Sequence, residues 1–218
     1  FQSFFYLFSI FKMVKIKEIN HQIHLLFQQH GIKSLTMDDL AEKLGCSKKT
    51  LYVYYKNRAD LVAKVITQDM EEHLLEIKLV VDRDLNPIEE FFKLGQLDLK
   101  KIKTIHPSAQ YDLKKYYPEA WVVFDQVIKQ KSFELTLNNL KKGIDCGVYR
   151  PEIRPEILAR ILSEKIELIF NGDLFQSHLI SFAQVYTEMM THYILGVVSE
   201  SGRDYFLKHH SKKILNHE

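Results

Sequence analysis

Three helix starts fall within about 20 residues between Thr36 and Asn57, in the stretch TMDDLAEKLGCSKKTLYVYYKNRAD. Thr36 reads as an N-cap, whose hydroxyl can accept a bond from a free N–H of the first turn, and Asp38 and Asp39 suit the positive end of that helix. Leu40, Ala41 and Leu44 follow at the spacing of a buried face. Gly45 stops the helix, because glycine takes the left-handed conformation cheaply. Ser47 is the next N-cap, and Asn57 the one after it, with Asp60 three residues on. Helices this short and this closely spaced predict a helix-turn-helix unit.

The second short helix opens with Lys48 and Lys49, against the helix dipole, at about 0.3–1 kcal/mol each. An external anion would reverse that penalty, and DNA phosphate is such an anion. Solvated surface lysines are the alternative. With Leu51 and Tyr55 placed inward, a rotation of about 100° per residue turns Lys49, Val53 and Lys56 away from the core. Thr50 and Tyr52 flank them, and Tyr54 lies nearer the core boundary. Lys49 can donate to guanine O6/N7 and Val53 can touch a thymine methyl. Thr50, Tyr52, Tyr54 and Lys56 have the reach and polar groups for phosphates.

On these residues the chain resembles the TetR family of bacterial transcriptional regulators. The matching pieces are Leu26-Phe27 and Gly31, then Thr36 to Ala41, then Gly45 to Arg58 and Leu61, over about residues 14–66. The resemblance implies DNA contacts from Thr36, Lys48, Lys49, Thr50, Tyr52, Tyr54 and Lys56. Cys46 stands where the family has a small aliphatic residue, and Val53 where a bulkier one is common. A duplex DNA operator, a homodimer and a small-molecule effector are the implied partners, with repression by occlusion as the default.

Charge follows the same division. Residues 13–66 hold nine basic side chains against five acidic ones, a net +4, within a chain whose total is only +2. The positive end is therefore the expected DNA-binding end. Cys46 and Cys146 are expected as reduced thiols in a cytoplasmic protein. The apolar run from Phe4 to Phe11 is too short to span a bilayer and lacks the basic start and cleavage site of a signal peptide. Residues 1–12 are expected to be a non-native or disordered extension, the alternative being an ordered apolar arm. The first helix is expected over Met13–Gln29.

The expected fold is all-α, with a helix-turn-helix domain at 13–59 and a helical regulatory and dimerisation domain at 60–218. Helical period predicts elements over Asp60–Val81 (apolar along Leu61, Val65 and Leu74-Leu75), from Pro87 to about Ile105, over Ala109–Tyr117, from Pro118 to about Gly143, and over Pro155–Phe170 and Ser177–Val198. In the last two, apolar positions wrap beyond one stripe, so a second surface must cover them. A symmetry mate giving a four-helix interface is the simplest cover, with Ile157, Ile161, Ile169, Phe182, Tyr186, Met189, Met190, Tyr193 and Val197 as its expected residues. In the resembled family this helix pair forms the dimer. The family also binds a small molecule in the helical domain, which makes Phe91, Leu94, His106, Tyr111, Trp121, Phe124, Phe133, Phe170 and Phe175 candidate lining residues and Asp60–Val81 the coupling helix.

No phosphate-binding glycine loop, nucleophile elbow or acid–base pair is present in the sequence, so an enzyme is not expected. His21, His24 and His30 lack a metal-site spacing, and His209-His210 falls in a polar tail, so neither metal nor cofactor is expected. A helical adaptor that binds protein is the remaining alternative. Steep weakening of binding with salt would separate DNA binding from it.

Overall fold

The computed structural model describes residues 2–169, 175 and 179–215, with side chains described from 15 to 164, at 169 and 175, and from 179 to 210. The described residues form ten helices: α1 (Gln2–His30), α2 (Met37–Lys43), α3 (Lys48–Tyr54), α4 (Arg58–Val81), α5 (Pro87–Thr104), α6 (Ala109–Tyr116), α7 (Pro118–Asp145), α8 (Pro155–Ile169), α9 (Phe182–Val197) and α10 (Glu200–Leu215). Among them there is no strand, only an antiparallel bridge between Tyr149 and Val198. The all-α reading is met.

The larger departures from the sequence reading lie at α1, α9 and α10. α1 begins at Gln2 and not Met13, so residues 2–12 continue its backbone; their side chains lie outside the described set. α9 starts after Ser181, whose hydroxyl accepts from Gln184 N while the Gln184 side chain accepts from Ser181 N, a capping box that sets the start where it is. The expected polar tail is α10, which buries Phe206 and His210.

The chain divides into two compact units, residues 1–74 with 105–125, and residues 75–104 with 126–218. The cuts fall inside α4 and α7, so the first unit takes in α6, which a division at residue 59/60 leaves out.

In the first unit α1 contributes Ile23 and Phe27, α2 Leu40 and Ala41, α3 Leu51, α4 Leu61, Val62 and Val65, and α6 Leu113, all buried in one cluster. Apolar burial of this kind stabilises by about 25 cal/mol per Å². A polar chain crosses the cluster. Tyr55 Oη donates to Asn20 Oδ1 (2.7 Å), and Asn20 Nδ2 donates to Gln68 Oε1 (2.8 Å). Where α1 ends, Gly31 adopts φ +78°. Beyond it, the N–H groups of Ile32 and Lys33 donate to the buried carboxylate of Asp112 at 3.2 and 3.0 Å. Arg58 donates to Ile32 O (2.6 Å) and to Tyr117 Oη (3.3 Å), which ties the start of α4 to the same loop.

In the second unit α5 packs on α9, and Ile88, Leu140, Tyr149, Ile194, Val197, Val198 and Phe206 form its main cluster. A second polar chain sits here. Tyr149 Oη donates to Asn139 Oδ1 (2.9 Å), and Asn139 Nδ2 donates to Pro87 O and Glu90 Oε1, both at 2.9 Å. α10 docks on α5: the His210 ring stacks on Phe92 with centroids 4.0 Å apart, and its Nε2 lies 2.7 Å from Glu89. Burial opposes ionisation of Glu89, but the contacts with His210 and the Tyr205 hydroxyl outweigh it and hold the carboxyl below its usual range. Leu75, expected on the apolar side of α4, is exposed.

Gly143 lies under the Tyr149 ring, where an added Cβ would stand 2.0 Å from Cδ2. Gly143→Ala is expected to lower the unfolding free energy by about 1–3 kcal/mol through overpacking. Chemical denaturation reads this, and an unchanged midpoint would contradict the ring-on-helix packing.

Candidate nucleic-acid interface

The start of α2 is a complete capping box. Thr36 Oγ1 accepts from Asp39 N at 3.2 Å, and Asp39 Oδ2 accepts from Thr36 N and Oγ1, both at 2.7 Å. These bonds, the side-chain one first, hold the Asp39 carboxyl below its usual range. α2 ends at Leu44, and Gly45 turns the chain at φ +64°, so that Cys46 N reaches back to Ala41 O at 2.9 Å. Ser47 then caps α3, accepting from Thr50 N at 3.1 Å, and its hydroxyl lies 2.8 Å from that of Thr50.

α3 is only seven residues long, and its orientation follows from what it buries. Leu51 and Tyr55 are fully inside. Val53 is 61% exposed and Tyr52 47%, Lys49 and Lys56 are exposed, and Thr50 and Tyr54 are half-buried. Hence Lys49, Tyr52, Val53 and Lys56 share the outward side, with Thr50 and Tyr54 at its edges. At the far end of α3, Lys64 Nζ donates to Tyr54 O at 3.0 Å and to Asp60 Oδ2 at 2.9 Å. A cation on the last carbonyls suits the dipole. The sequence reading missed this role, although the Asp60–Lys64 spacing of four signals the pair. Asn57 Oδ1 accepts from Asp60 N at 2.8 Å, and Asp60 Oδ2 accepts from Lys56 N at 2.8 Å, so Asn57 caps α4.

Lys48 has a partner that the sequence reading did not foresee: its ammonium lies 2.8 Å from Asp38 of α2. That bond and charge hold the Lys48 pKa above its ordinary value. Lys49, in contrast, is exposed and has no ion pair among the described residues. The tertiary approach of α2 and α3 creates the Asp38 contact, so helical spacing alone does not contain it.

The residues expected to line one ligand site belong to two units. His106, Tyr111, Trp121 and Phe124 are in the first, and Phe91, Leu94 and Phe133 in the second. Tyr111 is 57% exposed, Trp121 packs on Phe124 at 5.8 Å, and His106 bonds Ser108. Phe91 stacks on Tyr193 at 5.7 Å, and Phe133 lies under the Arg160 guanidinium. Leu94 and Phe175 are half-buried, and Phe170 lies outside the described residues. The Tyr193 hydroxyl is buried without a hydrogen-bond partner among the described residues, a feature no sequence signal marked.

The expected dimer residues also divide. Ile169, Tyr186 and Val197 are buried within their own unit, and Tyr186 donates to Asp98 at 3.0 Å. An apolar helix does not announce which side its own domain covers. Ile157 and Ile161, one turn apart on α8, are 49% and 45% exposed. Phe182, Met189, Met190 and Tyr193 are half-buried. Both cysteines are free thiols. Among the described residues no group of His, Cys, Asp or Glu is placed to hold a metal ion, and no helix is long and apolar enough to cross a membrane.

Residues 23–65 match the family model described as bacterial regulatory proteins, tetR family. The match spans the end of α1, all of α2 and α3, and the start of α4. YvaF of Bacillus subtilis (strain 168), an uncharacterized HTH-type transcriptional regulator, is 26% identical over 192 residues, covering 86% of this chain and 98% of that protein. The solved structure of a TetR family transcriptional regulator from Agrobacterium tumefaciens is similar with a TM-score of 0.67 at 16% identity, over 86% of this chain and 99% of that one. SmeT, the repressor of the Stenotrophomonas maltophilia multidrug efflux pump SmeDEF, is similar with a TM-score of 0.58 at 13% identity, over 85% and 92%. These structural likenesses carry the fold, and the capped α2–turn–α3 geometry carries the DNA-binding motif. The relatives are regulators rather than enzymes, and this chain is a helix-turn-helix transcriptional regulator whose DNA-binding segment matches the tetR family model.

Proposed function

We propose that this regulator is a cytoplasmic repressor that binds a near-palindromic DNA operator as a homodimer and leaves it when a small molecule enters its helical domain. The observation that carries the reading is the outward side of α3, where Lys49, Tyr52, Val53 and Lys56 stand free of the core that holds Leu51 and Tyr55. A helix so presented fits the major groove. Lys49 and Val53 read base edges. Thr36, Lys48, Thr50, Tyr52, Tyr54 and Lys56 meet phosphates, with Lys48 exchanging Asp38 for a phosphate.

Pairing through α8 and α9 would use Ile157 and Ile161 with the half-buried Phe182, Met189, Met190 and Tyr193. It would set two copies of α3 about 34–36 Å apart, or a multiple of that. The stacked Phe91 and Tyr193 rings, with an orphaned Tyr193 hydroxyl, suit a largely apolar effector that accepts or donates one hydrogen bond. The effector must bind the released state more tightly, since equal affinity for both states shifts nothing. α4, which begins at the cap following α3, is the element that would carry the change.

A gel shift with the promoter of the chain's own gene is expected to give a complex that weakens steeply with salt and dissolves with a matching small molecule. Complete indifference to salt would favour the adaptor reading. Lys49→Ala should relax discrimination at one base pair by about 1–3 kcal/mol, whereas Tyr52→Phe should weaken all sequences alike. A uniform loss from the lysine change would remove Lys49 from base reading. Replacing Ile157 and Ile161 together by Asp should give a monomer on sedimentation and abolish tight operator binding; a monomer that bound as tightly as wild type would rule out the dimer requirement.

A further inference from the structure

The first unit carries a second cationic surface outside the helix-turn-helix. Lys33, in the loop between α1 and α2, stands over the Tyr116 ring with Nζ 4.7 Å from its centroid. Lys115 of α6 stands over Tyr111 at 5.0 Å and over Tyr116 at 5.6 Å. All four side chains are exposed. Among the described residues neither ammonium has a carboxylate partner. Each instead meets a phenol: Lys115 donates to the Tyr111 hydroxyl, and Lys33 lies over the Tyr116 ring. The nearby Asp112 is buried and spent on the N–H groups of Ile32 and Lys33 and on the Ser108 hydroxyl. Ring contact also pre-orders the lysine stems, which lowers the entropy lost when they meet an anion.

This surface is fixed to the reading head. Lys33 is three residues from Thr36, so their Cα atoms lie no more than about 11 Å apart. The Asp112 carboxylate holds the loop to α6, and an added Cβ on Gly31 would meet Ser108 Oγ at 3.0 Å, so the loop sits directly on the start of α6. A duplex whose phosphates lie at the start of α2 therefore continues within reach of Lys33.

We infer that Lys33 and Lys115, presented on the Tyr116 and Tyr111 rings, form a second phosphate-binding surface that grips operator backbone flanking the segment read by α3. The inference rests on the operator reading above and extends its footprint to α6. The contact is sequence-independent, because it meets backbone only.

The test compares wild type with Lys33→Ala/Lys115→Ala on the operator fragment that wild type shifts, with Lys78→Ala, an exposed lysine of the second unit, as control. Circular dichroism verifies the fold of each. The slope of log affinity against log salt is expected to become shallower by about 1.8 in the double variant, about 0.9 for each phosphate no longer neutralised, and to stay at the wild-type value in the control. Hydroxyl-radical protection should shrink at the outer edges of each half-site and persist at its centre. A double variant with the wild-type slope and footprint overturns this inference and leaves the operator reading standing. A wild-type chain that shifts no promoter duplex at any salt overturns both.

Discussion

α3 is too short to hold its own shape. Seven residues lie well below the length at which an isolated helix persists in water, so its form and aim come from what it is fastened to. The fastening is Leu51 in the core and Tyr55 at the helix end, whose hydroxyl is bonded to Asn20 of α1, itself bonded to Gln68 of α4. Burial raises the Tyr55 pKa far above its ordinary value, so the phenol stays a neutral donor at any working pH. Three helices thus share one line of hydrogen bonds, and the outward side of α3 is whatever that line leaves over.

The second unit repeats the device with different residues. Tyr149, just after the turn that follows α7, bonds Asn139, which bonds Glu90 and the carbonyl of Pro87 on α5. Lys142 reaches Glu90 at 3.7 Å and Asp84 at 2.7 Å. In both units a tyrosine hydroxyl and an asparagine amide register apolar helices that would otherwise slide, since apolar contact is non-directional and these bonds are not. The tyrosine and asparagine groups that form these two lines are bonded to one another, which is what makes them cheap to bury.

The sequence disclosed most where local geometry suffices. The caps at Thr36, Ser47 and Asn57, the turn at Gly45 and the division of α3 into inward Leu51 and Tyr55 and outward Lys49 and Val53 all follow from helical angle and cap chemistry. What it hid depends on approach between elements. Asp38 meets Lys48 only because α2 and α3 pack at a particular angle. α10 carries few apolar residues, so its periodicity is faint, yet Phe206 and His210 bury themselves against α5. Apolar wrapping on α8 and α9 did not say that Ile169, Tyr186 and Val197 face inward while Ile157 faces out. Aromatic identity likewise named candidate lining residues without saying which share a unit.

Asp112 and Leu113 belong to a unit whose other buried members all lie before residue 75. During synthesis the reading head leaves the ribosome first and must wait for α6, with α5 emerging in between, at about 5–20 residues per second. Until then the N–H groups of Ile32 and Lys33 have no buried carboxylate, and the hollow that Leu113 fills is open. A nascent chain stopped at residue 74 carries the whole motif but not the closure of its core, which is completed only after a segment of the other unit has been made.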